Sequence, residues 1–332
     1  MSDVKGRRDN AAKRARVLSR TKAAMPVAPS LDGPRTERAV DAELESPVPK
    51  GGIVGVLQQP YLLRLLVRRQ LAQQYAASLL GFLWSYIQPA FRFVVYFLIF
   101  GYVFKIHQGT PNFAIHLFCG IVFVHYFSET VNGGVRSIWS NRSLVKKMAM
   151  PREIFPVSSM LVAAYHTLPQ FVLLSVICVV VGITPDWTGL AALLLGIAII
   201  VVFSTAIALL LSAVNVYYRD FQNIVATLLQ MIHFMVPMMY PISRIQQLGA
   251  DHPVLYQLYM ANPACQAVLL VQRFFWYGTN KHDGKAAGIN GSGGFPPDMF
   301  LRGIITLVLS IVLLWLCQKA FSRLESKFPE RI

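Results

Sequence analysis

The chain has 332 residues, of which 55% are hydrophobic and 14% charged, with a formal net charge of +15. That is too apolar for a soluble domain of this length, so the composition specifies a polytopic membrane protein. The basic residues flank apolar runs instead of lining one stripe, which argues against a nucleic-acid partner.

Residues 1–52 carry Lys5, Arg7, Arg8, Lys13, Arg14, Arg16, Arg20 and Lys22, followed by Pro26, Pro29, Pro34, Pro47 and Pro49. No apolar run follows the cations as it would in a cleavable signal. The stretch reads as a disordered basic cytoplasmic arm attracted to anionic lipid, ahead of a membrane domain over 53–332. From Val54 onward, Leu62, Leu65, Leu66 and Leu71 fall at helical spacing beside Arg64, Arg68 and Arg69. This pattern predicts an amphipathic helix along the cytoplasmic interface; the plainer alternative is a stop-transfer flank.

Six apolar stretches follow, near 79–104, 113–135, 155–182, 190–214, 221–240 and 299–319, against the roughly 20 residues needed to cross a bilayer. An even count puts both termini on one side. Arg136, Arg142, Lys146, Lys147 and Arg152 share the second connection, and Lys319, Arg323, Lys327 and Arg331 follow the last span, so both termini are expected in the cytoplasm. The long connection between the fifth and sixth spans is then external. In it, NPACQAVLLVQRFFWYG from Asn262 is too short and interrupted to span and predicts a re-entrant or interfacial helix, with Asn262 as its cap and Pro263 at its first position. The glycine-rich sequence from Gly278 to Pro297 reads as a solvent loop.

That loop imitates a phosphate-binding motif without being one, since five residues separate Gly278 from Gly284 and Ala286 follows Lys285 where a hydroxyl is needed. No HExxH or GxSxG motif occurs, and Cys119, Cys178, Cys265 and Cys317 show no metal-type spacing. His125 and Glu129 lie four apart on one helical face; lacking a third ligand, they are expected to make a polar contact between helices instead of a metal site.

Two features of the first span stand out. Tyr86, Phe93, Phe97, Phe100 and Phe104 recur at helical spacing and share one face, which by periodicity alone favours helix packing or lipid contact. Arg92 is a charge in the middle of the first span, where it needs a partner or a water path. It either reaches toward Glu129, across a depth difference of about 9 Å by helical rise, or faces an aqueous conduit. Met231, Met235, Met238 and Met239 form a softer stripe suited to packing against a neighbouring subunit. Arg219 and Asp220 are expected to staple the turn before the fifth span.

YLLRLLVRRQLAQQYAASLLGFLWSYIQPAFRFVVYFLIFGYVF, FVHYFSETV, SLVKKMAMPREIFPVSS, NVYYRDF and NPACQAVLLVQR occur in order from about Gly55 onward. Together they resemble the landmarks of ABC-2-type permeases that export lipid-linked polysaccharide such as O-antigen, teichoic acid or cell-wall galactan. The resemblance implies an all-α fold of six transmembrane helices with an interfacial gate helix bearing Arg64, Arg68 and Arg69, a coupling helix, and external re-entrant helices. It implies that Arg142, Lys146, Lys147, Met150, Pro151, Arg152 and Glu153 couple to a separate ATPase, with Met150 replacing a common aromatic residue. It assigns Tyr86, Arg92, Phe93, Phe97, Phe100, Phe104 and Glu129 to the substrate path, and Asn262, Pro263 and Arg273 to an external gate. The implied assembly is a homodimer with two ATPase subunits in the bacterial plasma (inner) membrane. ATP and magnesium belong to the partner, and no cofactor or metal to this chain. The basic arm inclines the reading toward an actinobacterial galactan. An integral-membrane glycosyltransferase and an ion-coupled transporter are the competing classes; the first lacks an acidic or histidine cluster, the second an internal repeat.

Overall fold

A computed structural model describes residues 52–76, 78–108, 110–148, 150–282, 294–296, 298–326 and 328, and among these the chain is helical without strands. The basic arm over 1–51 and most of the glycine-rich loop lie outside the described residues.

The chain enters through a short helix α1 (Ile53–Leu57) and then α2 (Pro60–Tyr75), which starts on a proline where a missing N–H costs nothing. Leu66 is buried and Leu62 and Leu71 partly so, while Arg64 and Arg68 are exposed; Leu65, expected on the same face, is exposed, so the amphipathic division is present only in part. Among the described residues five helical stretches are long and apolar enough to cross a membrane, Gly81–Val103, Phe113–Ser140, Ile154–Val181, Trp187–Tyr217 and Met299–Glu325, and the bent pair Pro253–Met260 and Pro263–Asn280 makes a sixth if it is one broken span. The five unbroken stretches match five of the six expected spans. The first comprises α3 (Trp84–Tyr96) with Pro89 inside it, continued by a π-helical turn over Phe97–Val103. The others are α4 (Phe113–Ser140), α6 (Ile154–Val181), α7 (Trp187–Tyr217) and α12 (Met299–Glu325), with the short α5 (Arg142–Lys147) between α4 and α6.

The most buried of the spans is α4, with α6 and α7 against it. Small residues let these backbones approach, as they commonly do between membrane helices. A β-carbon at Gly134 would lie 2.5 Å from Cβ of Ala208 on α7, and one at Gly196 would lie 2.9 Å from the carbonyl of Ala267. α6 stops where Gly182 takes φ 97°, letting the amides of Gly182 and Ile183 close on the Cys178 carbonyl.

The fifth expected span is corrected by the structure. α8 (Phe221–Met231) has 11 residues, about 16 Å of helix against a hydrocarbon core of about 30 Å, and residues 232–241 leave helical geometry. Pro237 and Pro241 remove donors there. The freed carbonyls are satisfied by side chains: Gln272 donates to Pro237 O at 2.9 Å, Tyr240 to Phe234 O at 2.7 Å, and His116 Nδ1 lies 3.2 Å from Met238 O. Irregular backbone at this depth survives because protein covers it. The break also divides the methionine stripe. Met238 and Met239 turn inward and are wholly buried within the chain, leaving only Met231 and Met235 exposed for any neighbour.

The chain then forms α9 (Ile242–Asp251), α10 (Pro253–Met260) and α11 (Pro263–His282). α10 and the helix over Pro263–Asn280 meet at 77°. α11 is longer than expected, running past Gly278 into sequence that reads as loop, and packs on α7, α4 and α12, with Val268, Leu269, Leu270 and Val271 wholly buried. Burial on several sides outweighs the weak helical preference of Gly278, Thr279 and Asn280.

Candidate functional site

A polar groove runs between α2 and the spans. At the end of the bundle bearing α5, a cavity of about 310 Å³ is lined by Gln70, Gln74, Glu129, Asn132, Arg136 and Ser159, among others. Deeper, a second cavity of about 240 Å³ is lined by Gln74, Ser78, Trp84, Gln88, His125 and Glu129, with Tyr75, Ser85 and His166. Gln74 and Glu129 line both cavities, so the two adjoin at these residues. Polar side chains at this depth are costly to keep and mark a solvated path or a functional contact.

Glu129 is the centre of a hydrogen-bond network. Its Oε1 bonds His166 Nδ1 on α6, and its Oε2 lies 3.3 Å from His125 Nε2. His166 Nε2 is in turn 2.7 Å from the Tyr75 hydroxyl, which is 2.9 Å from Ser85 Oγ. The two ring nitrogens of His166 thus link the α4 carboxylate to the end of α2. Gln70 adds a second tie, donating to Ser158 Oγ at 3.0 Å. Among the described residues no group of three His, Cys, Asp or Glu has metal-holding geometry, although Glu129 meets two histidines. Reading the sequence singled out His125 and Glu129 but passed over Tyr75 and His166. The signal was an ionisable residue inside an apolar run, which His166 also is.

Arg92 does not pair with Glu129. Its Nη1 lies 2.8 Å from Nε2 of His233, in the irregular segment after α8. The break in the fifth span brings His233 within reach, which a continuous helix would not have predicted. The aromatic stripe is likewise divided. Phe93 stacks on Phe97, Phe97 stacks on Phe113, and Phe93 meets Phe118 edge-on, so both face α4. The π turn then shifts the register, and Phe100 and Phe104 form a separate stacked pair with Phe104 exposed. Tyr86 and Phe93 line an apolar cavity of about 200 Å³ outside the polar groove. Of the seven residues expected on the path, Glu129 alone lines the groove.

At the α5 end, the residues expected to couple to an ATPase fall into two groups. Arg142, Lys146 and Lys147 are exposed around the buried anchor Val145. Met150, Pro151 and Glu153 are buried and act inward. Glu153 accepts from the Gly52 amide at 2.9 Å and from Gln318 Nε2 at 2.7 Å, while Arg152 donates to the Glu325 carbonyl and lies over the Phe328 ring. Arg219 does not bridge Asp220; its guanidinium sits 3.6 Å from the Trp139 ring centroid. Of the interfacial arginines, Arg69 is half-buried where Arg64 and Arg68 are exposed.

At the opposite end, Asn262 caps α11 by accepting from the Ala264 amide at 3.0 Å, and Pro263 opens the helix. Arg273 ties α11 to the start of α7 through Asp186, at 3.2 Å, and lies over Tyr277. Partial burial pushes the Asp186 carboxyl upward, but the Gly189 amide, Arg273 and Thr188 outweigh it and hold the group below its ordinary value. A depressed carboxylate stabilises the fold above its unfolded value near 4, and that contribution fades as pH falls through the folded value. Asp186→Asn is therefore expected to lower the melting temperature of purified protein at pH 7, with the gap to the parent closing below about pH 4; a gap independent of pH would exclude this ion pair as its source.

The description "ABC-2 type transporter" belongs to the family model that matches residues 61–268. The chain is 30% identical to the O-antigen export system permease protein RfbA of Myxococcus xanthus, over 82% of this chain and 95% of that protein. It is 23% identical to the protein of the same name from Klebsiella pneumoniae, over 81% and 94%. It is 24% identical to the polysialic acid transport protein KpsM of Escherichia coli, over 56% of this chain and 72% of that protein.

Proposed function

The chain belongs to the ABC-2 type transporter family, and on that premise we propose that it is the membrane subunit of an ATP-driven exporter of lipid-linked polysaccharide, with cell-wall galactan the polymer to test first. The observation that carries this reading is the pair of polar cavities under α2, which share Glu129 and Gln74 in their walls, among helices that are otherwise apolar. The positive-inside rule puts the α5 end, both termini and the wider cavity in the cytoplasm of a bacterial plasma membrane. Substrate enters there beneath α2, whose exposed Arg64 and Arg68 stand beside lipid headgroups. Two copies of the chain enclose the path, and each docks one ATPase subunit on α5. The chain is then no enzyme by itself; ATP and magnesium act in the partner, whose closure moves α5 as a rigid unit anchored by Val145 and the Glu153 hub.

Gentle purification of the tagged chain from its native membranes, followed by mass spectrometry, tests this directly. Recovery of a Walker-motif ATPase in equal copies is the expected result. Repeated recovery of an export-active chain without one would overturn the ATP-driven mechanism and favour an ion-coupled carrier.

A further inference from the structure

We propose that Glu129 is a specificity-determining residue that accepts hydroxyl groups of a neutral sugar and disfavours anionic ones, an inference that rests on the exporter reading. The deeper cavity combines the chemistry a sugar needs. Trp84 is 46% exposed on its wall and presents a flat face to CH groups. Gln74, Gln88 and Ser78 are exposed around it, and the Gln74 and Gln88 side chains have no hydrogen-bond partner among the described residues, so their amides can both donate and accept.

Glu129 supplies the charge. A carboxylate offers about four lone-pair sites; His166 occupies one on Oε1, and His125 Nε2 lies 3.3 Å from Oε2 without hydrogen-bonding it. The side chain is 24% exposed and lines both cavities, and because Oε2 is enclosed, Oε1 is the oxygen left for a ligand to reach from the groove. The two imidazoles hold the carboxylate in one orientation, which lowers the ordering cost of binding. A sugar hydroxyl donating to this group makes a charge-assisted bond, whereas a sugar carboxylate placed there meets a like charge. Arg136, the cation of this groove, lines only the wider cavity, beyond the deeper set.

Saturation-transfer NMR on the purified full-length protein in nanodiscs, with methyl β-galactopyranoside and the methyl glycoside of N-acetylneuraminic acid as probes, tests the assignment. The galactoside is expected to receive transfer and the sialoside to bind about 10-fold more weakly. Glu129→Ala should weaken the galactoside by about 10- to 100-fold. Glu129→Gln preserves shape and one acceptor, and should narrow the discrimination by admitting the sialoside, a change that a purely structural role would not produce. Equal transfer to both probes, or unchanged discrimination in Glu129→Gln, overturns the proposal. The exporter reading fails separately: deletion of the gene that leaves surface polysaccharide unchanged would remove the physiological role, whatever the purified chain binds.

Discussion

Reversing the exposed cations of α5, in the triple variant Arg142→Glu, Lys146→Glu and Lys147→Glu, is expected to abolish export while leaving the chain folded in the membrane. These side chains point outward from a helix of six residues whose inward face is held by Val145, so their replacement removes no core contact. Arg142 loses its place 5.2 Å from the Trp139 ring, a minor cost at an exposed site. On the proposed docking of α5 against an acidic ATPase surface the consequence is much larger, because each reversal turns an attraction into a like-charge contact, and such contacts cost several kcal/mol across an interface. At three positions the recovery of ATPase per permease should fall by at least about 100-fold. Quantitative mass spectrometry of the purified complex reads this, with surface polysaccharide measured in the same cells. Undiminished ATPase recovery from the triple variant would show that α5 is not the docking element.

Glu153→Ala carries the second large expected effect, on stability. Glu153 is wholly buried and receives hydrogen bonds from the Gly52 amide, at the entry of the membrane domain, and from Gln318 near the end of α12. It thereby joins chain segments 101 and 165 residues away to the segment following α5. Hydrogen bonds to a charged group contribute about 1.5–3 kcal/mol each, and truncation removes the acceptor of the Gly52 amide and leaves Gln318 with only Ser322 Oγ, at 3.3 Å. A loss of about 3 kcal/mol or more follows, equivalent to several degrees in melting temperature for a body of this size. Glu153→Gln keeps an acceptor and should fall between the two. Thermal unfolding of detergent-solubilised protein measures the series; an alanine variant that melts with the parent would mean that these bonds contribute nothing net.

Five spans, most of the amphipathic division of α2 and the cap of α11 were legible in the residues because each depends on local pattern alone. Hydrophobic length decides whether a segment can cross, helical periodicity decides which face of α2 is buried, and Asn262 followed by Pro263 forms a helix start wherever the chain goes next. The set of motifs likewise carried the family resemblance without reference to packing. The exposed and buried members of the coupling segment looked alike in sequence, since a basic, proline-punctuated run does not say which residues turn inward.

What the sequence by itself determined was the class of protein, the position of most helices and the presence of Glu129 and Arg92 at costly depths. Only the tertiary structure decided their partners. Arg92 meets His233 because the fifth apolar stretch breaks after Met231, and that break survives because Tyr240 within it, and Asn262 and Gln272 farther along the chain, donate to the carbonyls it frees. Glu129 meets His166 and, through it, Tyr75, across three elements that no spacing rule connects. The aromatic stripe separated for the same reason in reverse: a π turn adds length to one turn of helix, and a periodicity counted at 3.6 residues cannot anticipate it. Local pattern specifies what a segment can become in apolar surroundings, whereas the pairing of its polar groups depends on which neighbours the packed bundle brings within hydrogen-bond reach.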